Sequence, residues 1–529
     1  MNITDIESSN INTVVNKLCE NVIGYKAVCN ITDHIPDMTD LLLLGENTHG
    51  TKEFYNIRAD ITKHMIQYKN YKVILLEAEW PDIIRVNEYI HGNSQDISAK
   101  EAFENIKKFP EWMWKNEVIY ELIEWLKKYN EHNIDDPVYI FGIDCQQFLD
   151  STKFVINYLQ KTNSGFYETA KNTLSGLNNF SSEREYANSA VYGSIKPHVN
   201  NIVHNLQDFL SSYQWDHADA FLNNPLNNIS DKLDVIYCEQ SLEILVNGEE
   251  YFRKMLEEPA GSNASWNTRD QHMLMTIMRI RNRFSQLYNN VTPKIIVWAH
   301  NSHIGNSNAT SGGGDSFTHN NTWNVGQMVK EMFENTISIG MYTDNGYVTA
   351  GTGDCNYAIR QQLRSSNMYS YEYLFHKTIL KLSVSAFVID LRQFRQNTVV
   401  TGDTDGDTDV DTTSDNKFIT GELYRNVSCG TIFKAIKYTV DNNKVIQLYD
   451  ENNVGYTAYS PYGNVKRKCY LVNRLLSDNL SELFNSTLLQ RMIGIKYIPE
   501  TELDSHYGES KLSQQYDMVL FVDSTTSIV

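Results

Sequence analysis

The chain has 529 residues, 41% of them hydrophobic and 12% aromatic, which is enough to bury the core of one elaborated globular domain or two. Its formal charge of −19 at pH 7 argues against sequence-independent binding to nucleic acid and against contact with an anionic membrane surface. The longest apolar runs have the length of a strand, which is far short of a membrane span.

The cysteines and the N-terminal residues indicate an intracellular protein. Seven cysteines are scattered along the chain without a C-x-x-C pair, which is typical of reduced thiols. The N-terminal residues are too polar for a secretory signal peptide. We therefore expect a cytoplasmic protein that is a monomer or a weak homo-oligomer.

The stretch 41–58 joins a predicted strand to a predicted helix and carries candidate catalytic residues between them. Leu41–Leu44 are apolar without interruption, as in a strand buried on both faces. The following turn carries Glu46 and His49, and Thr51 is predicted to cap a helix whose apolar residues recur at helical spacing. The sequence thus predicts a carboxylate and an imidazole at a sheet edge, beside a helix N-terminus.

Three more apolar runs of strand length each end in residues that can take part in chemistry. The runs are Lys72–Leu76, Pro137–Phe141 and Lys294–Ala299, and the polar residues after them are Glu77 with Glu79, Asp144, and His300 with His303. Helical spacing between the early runs indicates alternating strands and helices, so we predict an α/β fold with a mainly parallel central sheet and right-handed crossovers. The polar residues should then meet at one edge of that sheet.

Strand patterning stops between residues 151 and 289, where the apolar residues keep a helical spacing. We predict a helical insertion there that covers the cleft, between a first part of the α/β core at 1–150 and a second part at 290–529. In the second part we expect a helix and three strands at Val325–Phe333, Thr336–Met341, Ala386–Leu391 and Asp517–Val522. Residues 402–415 are predicted to form an acidic, low-complexity surface loop.

The common catalytic motifs are absent from the sequence. It contains no G-x-S-x-G nucleophile elbow, no phosphate-binding or dinucleotide-binding glycine pattern, and no H-E-x-x-H. Two histidines, several carboxylates and an arginine remain. A neutral imidazole could take a proton from water while a carboxylate holds its other nitrogen, or the same residues could bind a metal. The residue types therefore leave hydrolysis and metal binding open.

Several motifs along most of the chain occur in the order of one known family. They are Gly45-Glu46-Asn47-Thr48-His49-Gly50 with Arg58, Glu77, Trp112-Met113-Trp114, Gly142-Ile143-Asp144, Arg269-Asp270, Trp298-Ala299-His300-Asn301-Ser302-His303-Ile304, Gly326, Ile339-Gly340 and Tyr516-Asp517. In these motifs the chain resembles the erythromycin esterase family, which includes macrolide-lactone hydrolases. The resemblance implies a three-layer α/β/α core with a helical insertion flanking the cleft. It also implies hydrolysis of a small-molecule carboxylic ester or lactone without a covalent enzyme intermediate, a metal or a cofactor.

The resemblance further implies roles for individual residues. His49 is the expected general base for water, with Glu46, Arg58, Glu77 and His300 around it. We expect a carboxylate, either Glu77 or Glu46, to orient His49, and Arg58 with the helix N-terminus to stabilise the oxyanion. His300 would hold the substrate carbonyl or protonate the leaving alkoxide.

Other candidates have a structural interpretation beside the functional one. The residues expected to bind substrate or to support the site are Asp144, Arg269 and His303. They could equally serve as a cap, a lid ion pair and a core hydrogen-bonding group. We expect Trp112 and Trp114 in the core, and Glu79 in solvent.

Two alternative functions remain. A metal-dependent hydrolase would use Glu46, His49, Glu77 and His300 as ligands, and a catalytically silent protein would use the fold for binding alone. The sequence does not name the natural substrate. Hydrolysis of macrolides, which confers antibiotic resistance, is one specialised use within the family, and specificity would lie in the insertion and loops.

Overall fold

The structure is a computed structural model that describes residues 3–162, 165–193, 228–258, 263–311, 322–353, 357–395 and 479–528, with short pieces at 204–205, 208 and between 423 and 458. The predicted acidic loop at 402–415 lies outside the described residues. Among the helices within these ranges, none combines the length and the hydropathy that a membrane span requires.

The strands are numbered in chain order. They are β1 (Ile23–Gly24), β2 (Leu41–Leu44), β3 (Tyr71–Glu79), β4 (Tyr139–Asp144), β5 (Lys294–Trp298), β6 (Thr310–Ser311), β7 (Thr336–Gly351), β8 (Ala358–Leu363), β9 (Ala386–Asp390), β10 (Leu423–Arg425), β11 (Ile432–Lys434), β12 (Lys437–Val440), β13 (Ile446–Tyr449), β14 (Gly455–Ala458), β15 (Leu488–Arg491), β16 (Tyr507–Ser510) and β17 (Met518–Thr525).

The helices are numbered in the same way. They are α1 (Ile3–Asn21), α2 (Cys29–Thr32), α3 (Lys52–Lys69), α4 (Trp80–Ile90), α5 (Ala99–Ala102), α6 (Glu117–His132), α7 (Phe148–Lys161), α8 (Tyr167–Leu174), α9 (Glu183–Tyr192), α10 (Ile229–Glu257), α11 (Ala264–Leu287), α12 (Asn301–Ile304), α13 (Val325–Met332), α14 (Tyr371–Leu382), α15 (Leu480–Asn485), α16 (Glu502–Ser505) and α17 (Leu512–Gln515).

A nine-stranded sheet in the order β1-β9-β17-β7-β2-β5-β3-β4, with β8 added to β7, forms the centre of the fold. The strands from β17 to β4 are all parallel, whereas β9 and β8 pair antiparallel with their neighbours. The chain runs from β2 to β3 and β4 on one side, returns to β5, and crosses to β7 on the other side of β2. This reversal opens a crevice at the carboxyl ends of β2 and β5.

The apolar strands are buried on both faces, which confirms the predicted three-layer fold. In β2, Leu41 and Leu43 pack in one core cluster, and Leu42 and Leu44 pack in the other. Helices α1, α7, α10, α11 and α14 cover the first face, and α3 and α6 cover the second. A strand that is buried on both faces has no solvent-exposed side chains, which explains why each of these strands appears in the sequence as an unbroken apolar run.

Several strands of the structure end later than the sequence predicts. Strand β3 runs on to Glu79 and β4 ends at Asp144, so these carboxylates lie within strands and not after them. Strand β7 extends to Gly351, well past the predicted end. Thr51 is the N-cap residue of α3 as predicted, but its hydroxyl shares a hydrogen bond with that of Thr48 and makes no capping hydrogen bond to the first turn.

Between residues 151 and 289 the described residues lie in helices, turns and connecting segments. Helices α7, α8, α9, α10 and α11 account for most of them. The three-part division of the chain stays a prediction. The sequence did not predict strands β1 and β8 or helix α14. Strand β1 has two residues and β8 is mostly polar, so neither forms an apolar run of strand length.

Candidate active site

The chain beyond β2 is held by backbone hydrogen bonds on both sides. Gly45 N donates to Ile339 O over 2.9 Å, and Asn47 N donates to Met341 O over 2.9 Å. On the other side, Ile493 N donates to Asn47 O over 2.7 Å. The turn that follows the strand therefore continues the sheet ladder, which fixes the position of the side chains it carries.

Two glycines permit this close packing. A Cβ atom on Gly45 would lie 2.1 Å from Oδ1 of Asn301, and one on Gly50 would lie 1.9 Å from the carbonyl oxygen of Thr349. Neither position leaves room for a side chain. The glycines at both ends of the Gly45–Gly50 motif thus let the turn lie against the ends of its neighbouring strands.

His49 is oriented by a buried carboxylate. Its Nδ1 lies 2.9 Å from Oε1 of Glu46, and because an ionised carboxylate can only accept, Nδ1 is the donor. The other oxygen of Glu46 accepts from Nη2 of Arg58 over 2.6 Å. Of the two carboxylates proposed to orient His49, the structure thus places Glu46 in that position and leaves Nε2 of the imidazole to act as a base.

Arg58 lies behind Glu46 and does not reach the cavity. Its side chain is 1% exposed, and its guanidinium lies between the rings of Tyr55 and Trp298, 4.6 and 4.7 Å from their centroids. The predicted oxyanion role of Arg58 is therefore wrong. At the N-terminus of α3, Lys52 N donates to the carbonyl of Thr526 over 2.9 Å, and no residue of α3 lines the cavity described below.

His300 lies beside His49, with ring centroids 4.8 Å apart. Its backbone N–H donates to Oε2 of Glu77 over 2.7 Å, and its Nδ1 accepts from Ser302 N over 3.2 Å. Burial and the adjacent His49 lower the pKa of His300 well below its usual range. The ring is therefore neutral with its proton on Nε2, which is buried and has no hydrogen-bond partner.

Glu77 belongs to a buried ion cluster and does not contact His49. Its Oε1 accepts from Nη2 of Arg269 over 2.9 Å and lies 3.2 Å from Nε2 of His303, whose Nδ1 donates to Asp270 over 2.8 Å. Arg269 also binds both oxygens of Asp144. The cluster joins β3, β4, α11 and α12, so it ties the predicted site residues together.

The charges of the cluster are set by these contacts. Burial alone would raise the pKa of Glu77, but His303, His49 and Arg269 hold it well below its usual range. Burial alone would lower the pKa of His303, but Asp270 and Glu77 raise it to about 9. His303 is therefore a cation at neutral pH, while burial raises the pKa of Asp270.

These residues open into a cavity of about 440 Å³. His49, Glu77, Asp144, Arg269, His300 and His303 all line it, whereas Glu46 and Arg58 lie behind it. Of the eight predicted site residues the structure thus places six at one cavity, Glu46 against His49, and Arg58 behind Glu46. The catalytic or binding role of each stays a prediction.

Several lining residues were not predicted from the sequence. Tyr251 and Phe252 come from α10, Trp266 from α11, and Gly494 with its neighbour from the C-terminal segment. The ring of Trp266 stacks on His303 with centroids 4.5 Å apart. Trp266 lies three residues before Arg269, a helical spacing that puts both side chains on one face of α11 and could have predicted Trp266 as a lining residue. The residues next to Gly494 show no pattern that predicts its position at the cavity.

Glu79 was expected in solvent and Trp112 and Trp114 in the core, and only the expectation for the tryptophans is met. The expectation of a solvated Glu79 is wrong, because its carboxylate lines the cavity and accepts from Gln147 N over 2.9 Å. Trp112 and Trp114 are buried as expected, and Trp114 also lines the cavity.

The metal-hydrolase alternative gains no support from the geometry. In the described part of the chain, one group of three metal-ligating side chains gathers its ligand atoms within 4.8 Å, namely Asp344, His376 and Asp523. None of them lines this cavity. The four residues of that alternative, Glu46, His49, Glu77 and His300, do not gather their ligand atoms in this way among the described residues.

Comparison with known proteins decides the family. The family model for erythromycin esterase matches residues 66–525. The chain belongs to the erythromycin esterase family. Membership of the erythromycin esterase family supports a hydrolase of that family, and it confirms the resemblance seen in the motifs.

Individual relatives are distant. "Putative hydrolase YbfO" of Bacillus subtilis (strain 168) is 22% identical over 311 residues, which cover 58% of this chain and 65% of that protein. The match thus spans slightly less than two thirds of that relative's length.

Three crystal structures share the fold of this erythromycin esterase family member. A succinoglycan biosynthesis protein has a TM-score of 0.63 at 15% identity, with 98% of this chain and 97% of that chain covered. A Bacillus cereus protein has a TM-score of 0.63 at 14% identity, with 98% of each chain covered. A mutant of the erythromycin esterase EreC in its open conformation has a TM-score of 0.52 at 13% identity, with 92% and 91% covered.

Proposed function

We propose that this protein hydrolyses a small-molecule carboxylic ester or lactone by activating water with His49. One observation carries the proposal: Glu46 accepts from Nδ1 of His49 over 2.9 Å, in a cavity wall at the carboxyl ends of the sheet. A carboxylate on Nδ1 fixes the tautomer, so Nε2 has a free lone pair. The same contact stabilises the imidazolium that forms when the base takes a proton.

The reaction follows from the placement of the two imidazoles. His49 Nε2 takes a proton from water as the water oxygen attacks the carbonyl carbon of the substrate. His300 is neutral with its proton on Nε2, lines the same cavity and has its ring 4.8 Å from that of His49, so we assign it as the donor to the oxyanion that develops. A preorganised donor of this kind is typically worth about 3–4 kcal/mol of transition-state stabilisation.

The ion cluster keeps this apparatus in position. Glu77 holds the backbone of His300 through one oxygen and contacts Arg269 and His303 through the other. Because every carboxylate oxygen of Glu77 is already engaged, we assign it a positioning role. It holds His300 beside His49 without touching the substrate.

The cavity wall favours a substrate with apolar surface. Trp114, Phe109, Tyr251, Phe252 and Trp266 all line the cavity. A volume of about 440 Å³ lies in the range of cavities that bind small molecules. Esters and lactones with apolar acyl or alkoxy groups, macrolides among them, are therefore the substrates to test first.

A screen of the purified protein tests the proposal. The panel contains aryl esters, alkyl esters, small lactones and macrolide lactones, with a phosphate monoester and a glycoside as negative controls. We expect turnover of at least one ester or lactone, unchanged by EDTA and absent from the two controls. Turnover confined to the phosphate monoester or the glycoside, or turnover abolished by EDTA and restored by a divalent metal, would overturn the proposal.

A further inference from the structure

A group of carboxylates lies in the cavity wall beyond Glu77. Strands β3 and β4 pair Glu79 directly with Asp144, and Asp82 stands in the first turn of α4. Gln147 joins them, since its backbone N–H donates to Oε2 of Glu79 over 2.9 Å and its Nε2 donates to Asp82 over 2.7 Å. All of these residues line the cavity.

The carboxylates differ in the cations that contact them. Asp144 binds Arg269 through both oxygens at 2.6 to 3.2 Å, which compensates its charge. Glu79 accepts one hydrogen bond from a neutral backbone N–H and forms no ion pair with a described cation. Because two carboxylates side by side cannot both ionise without cost, the one without a cation keeps its proton.

The electrostatics agree with this assignment. Burial, Asp144 and Asp82 raise the pKa of Glu79 well above its usual range, while Arg269 and Lys108 oppose them without cancelling their effect. The neutral groups Tyr251 and Cys145 also face this carboxyl group. Burial raises the pKa of Asp82 to about 6. Burial and the neighbouring carboxylates thus favour the protonated form of the Glu79 carboxyl group.

Glu79 lies across the cavity from His49. His49 follows β2 and Glu79 ends β3, and these strands are separated by β5 alone. Adjacent strands lie about 4.8 Å apart, so the two strand ends are roughly 10 Å apart. Their side chains face one cavity, and an ester group can lie between them.

We propose that Glu79 is the general acid that protonates the leaving alkoxide oxygen. The proposal rests on the proposed function. Water gives its proton to His49 and its oxygen to the carbonyl carbon. The bond from that carbon to the alkoxy oxygen then breaks, and this oxygen takes the proton of Glu79. Proton transfer from the His49 imidazolium through water to the Glu79 carboxylate restores both groups.

Leaving-group dependence tests the role of Glu79. A 4-nitrophenoxide leaves without protonation, whereas an alkoxide needs an acid. We expect Glu79→Gln to lower kcat/KM for an alkyl ester about 10²–10³-fold and for the 4-nitrophenyl ester of the same acid less than about 5-fold. Glu185→Gln, which removes an exposed carboxylate outside the cavity wall, should leave both rates within about 2-fold.

The outcomes separate this proposal from the proposed function. Equal losses on both esters in Glu79→Gln, or no loss on either, would overturn the role of Glu79 while the hydrolase stands. Full activity of His49→Asn on both esters would overturn the proposed function itself.

Charge measurement gives a readout that does not depend on activity. Capillary electrophoresis at pH 7 should find Glu79→Gln equal in net charge to the wild type, because a protonated carboxyl group carries no charge. Glu185→Gln should differ from the wild type by one charge, because hydrogen bonds from Ser181 lower the pKa of the Glu185 carboxyl group. A full-charge difference in Glu79→Gln would contradict the proposal.

Discussion

At the scale of single residues, the buried pair of Glu46 and Arg58 determines what His49 can do. Glu46 is 1% exposed and is shared between His49 and Arg58. Its charge is held by a guanidinium that stacks between two rings and cannot leave without opening the core. Arg58 therefore acts on His49 through Glu46, as a positioning residue.

Replacing Arg58 by methionine should destabilise the protein strongly. Arg58→Met leaves Glu46 buried without a cation, and removing one partner of a buried ion pair typically costs about 3–5 kcal/mol. The free energy of unfolding, measured by urea denaturation, should fall by that amount. Lys153→Met breaks a surface pair whose side chains, Lys153 and Asp150, are 69% and 38% exposed, so it should cost about 1 kcal/mol or less. Equal losses in the two variants would show that Arg58 is not the buried anchor described here.

At the scale of elements, His303 joins three parts of the fold. It stands in α12, donates to Asp270 of α11 and lies 3.2 Å from Glu77 of β3. Helix α11 also supplies Arg269 and Trp266, and the latter stacks on His303. The edge of the sheet and the long helix that covers it are thus held by one imidazolium and its two carboxylates.

The pH dependence of stability should report on His303. Its pKa is raised to about 9 in the folded state, against about 6.5 when unfolded. Its stabilising contribution is therefore complete below about pH 6.5 and is lost as the pH rises through 9, and it amounts to about 3 kcal/mol. Urea denaturation should show the stability difference between wild type and His303→Asn shrinking from pH 6.5 to pH 9.5.

A histidine on the surface provides the control for this measurement. His132 is exposed at the end of α6, and His132→Asn should differ from the wild type by the same small amount at every pH. A stability difference in His303→Asn that stays constant between pH 6.5 and pH 9.5 would contradict a protonated His303.

The parallel strands could be predicted from the sequence, whereas the contacts between elements could not. The parallel strands were predictable because both of their faces are buried, so hydrophobicity alone marks them. The environment of Glu79 was not predictable, since its partner Gln147 lies 68 residues away on another element. The contact of Arg269 with Glu77 spans 192 residues, and no local pattern encodes it. The sequence also did not reveal that Arg58 is buried behind Glu46, since that burial depends on Trp298 from a distant strand.

At the scale of the whole molecule, the site needs both ends of the chain and the helices between them. The turn Gly45–Gly50 forms backbone hydrogen bonds with β7 and with Ile493, while α10 and α11 close the other side of the cavity. The sheet alone would leave the ends of β2, β5 and β3 open to water. Enclosure by distant segments is what turns a row of polar strand ends into a cavity of defined shape.

The most direct test of the account is the activity of a folded His49→Asn variant. On an ester or lactone that the wild type hydrolyses, kcat/KM should fall about 10²–10⁴-fold, because the asparagine keeps a polar side chain but cannot take the proton. Circular dichroism and thermal unfolding should match the wild type, and His132→Asn should retain full activity. Near-normal turnover by a folded His49→Asn variant would contradict the account and would make His300 the first residue to examine as the base.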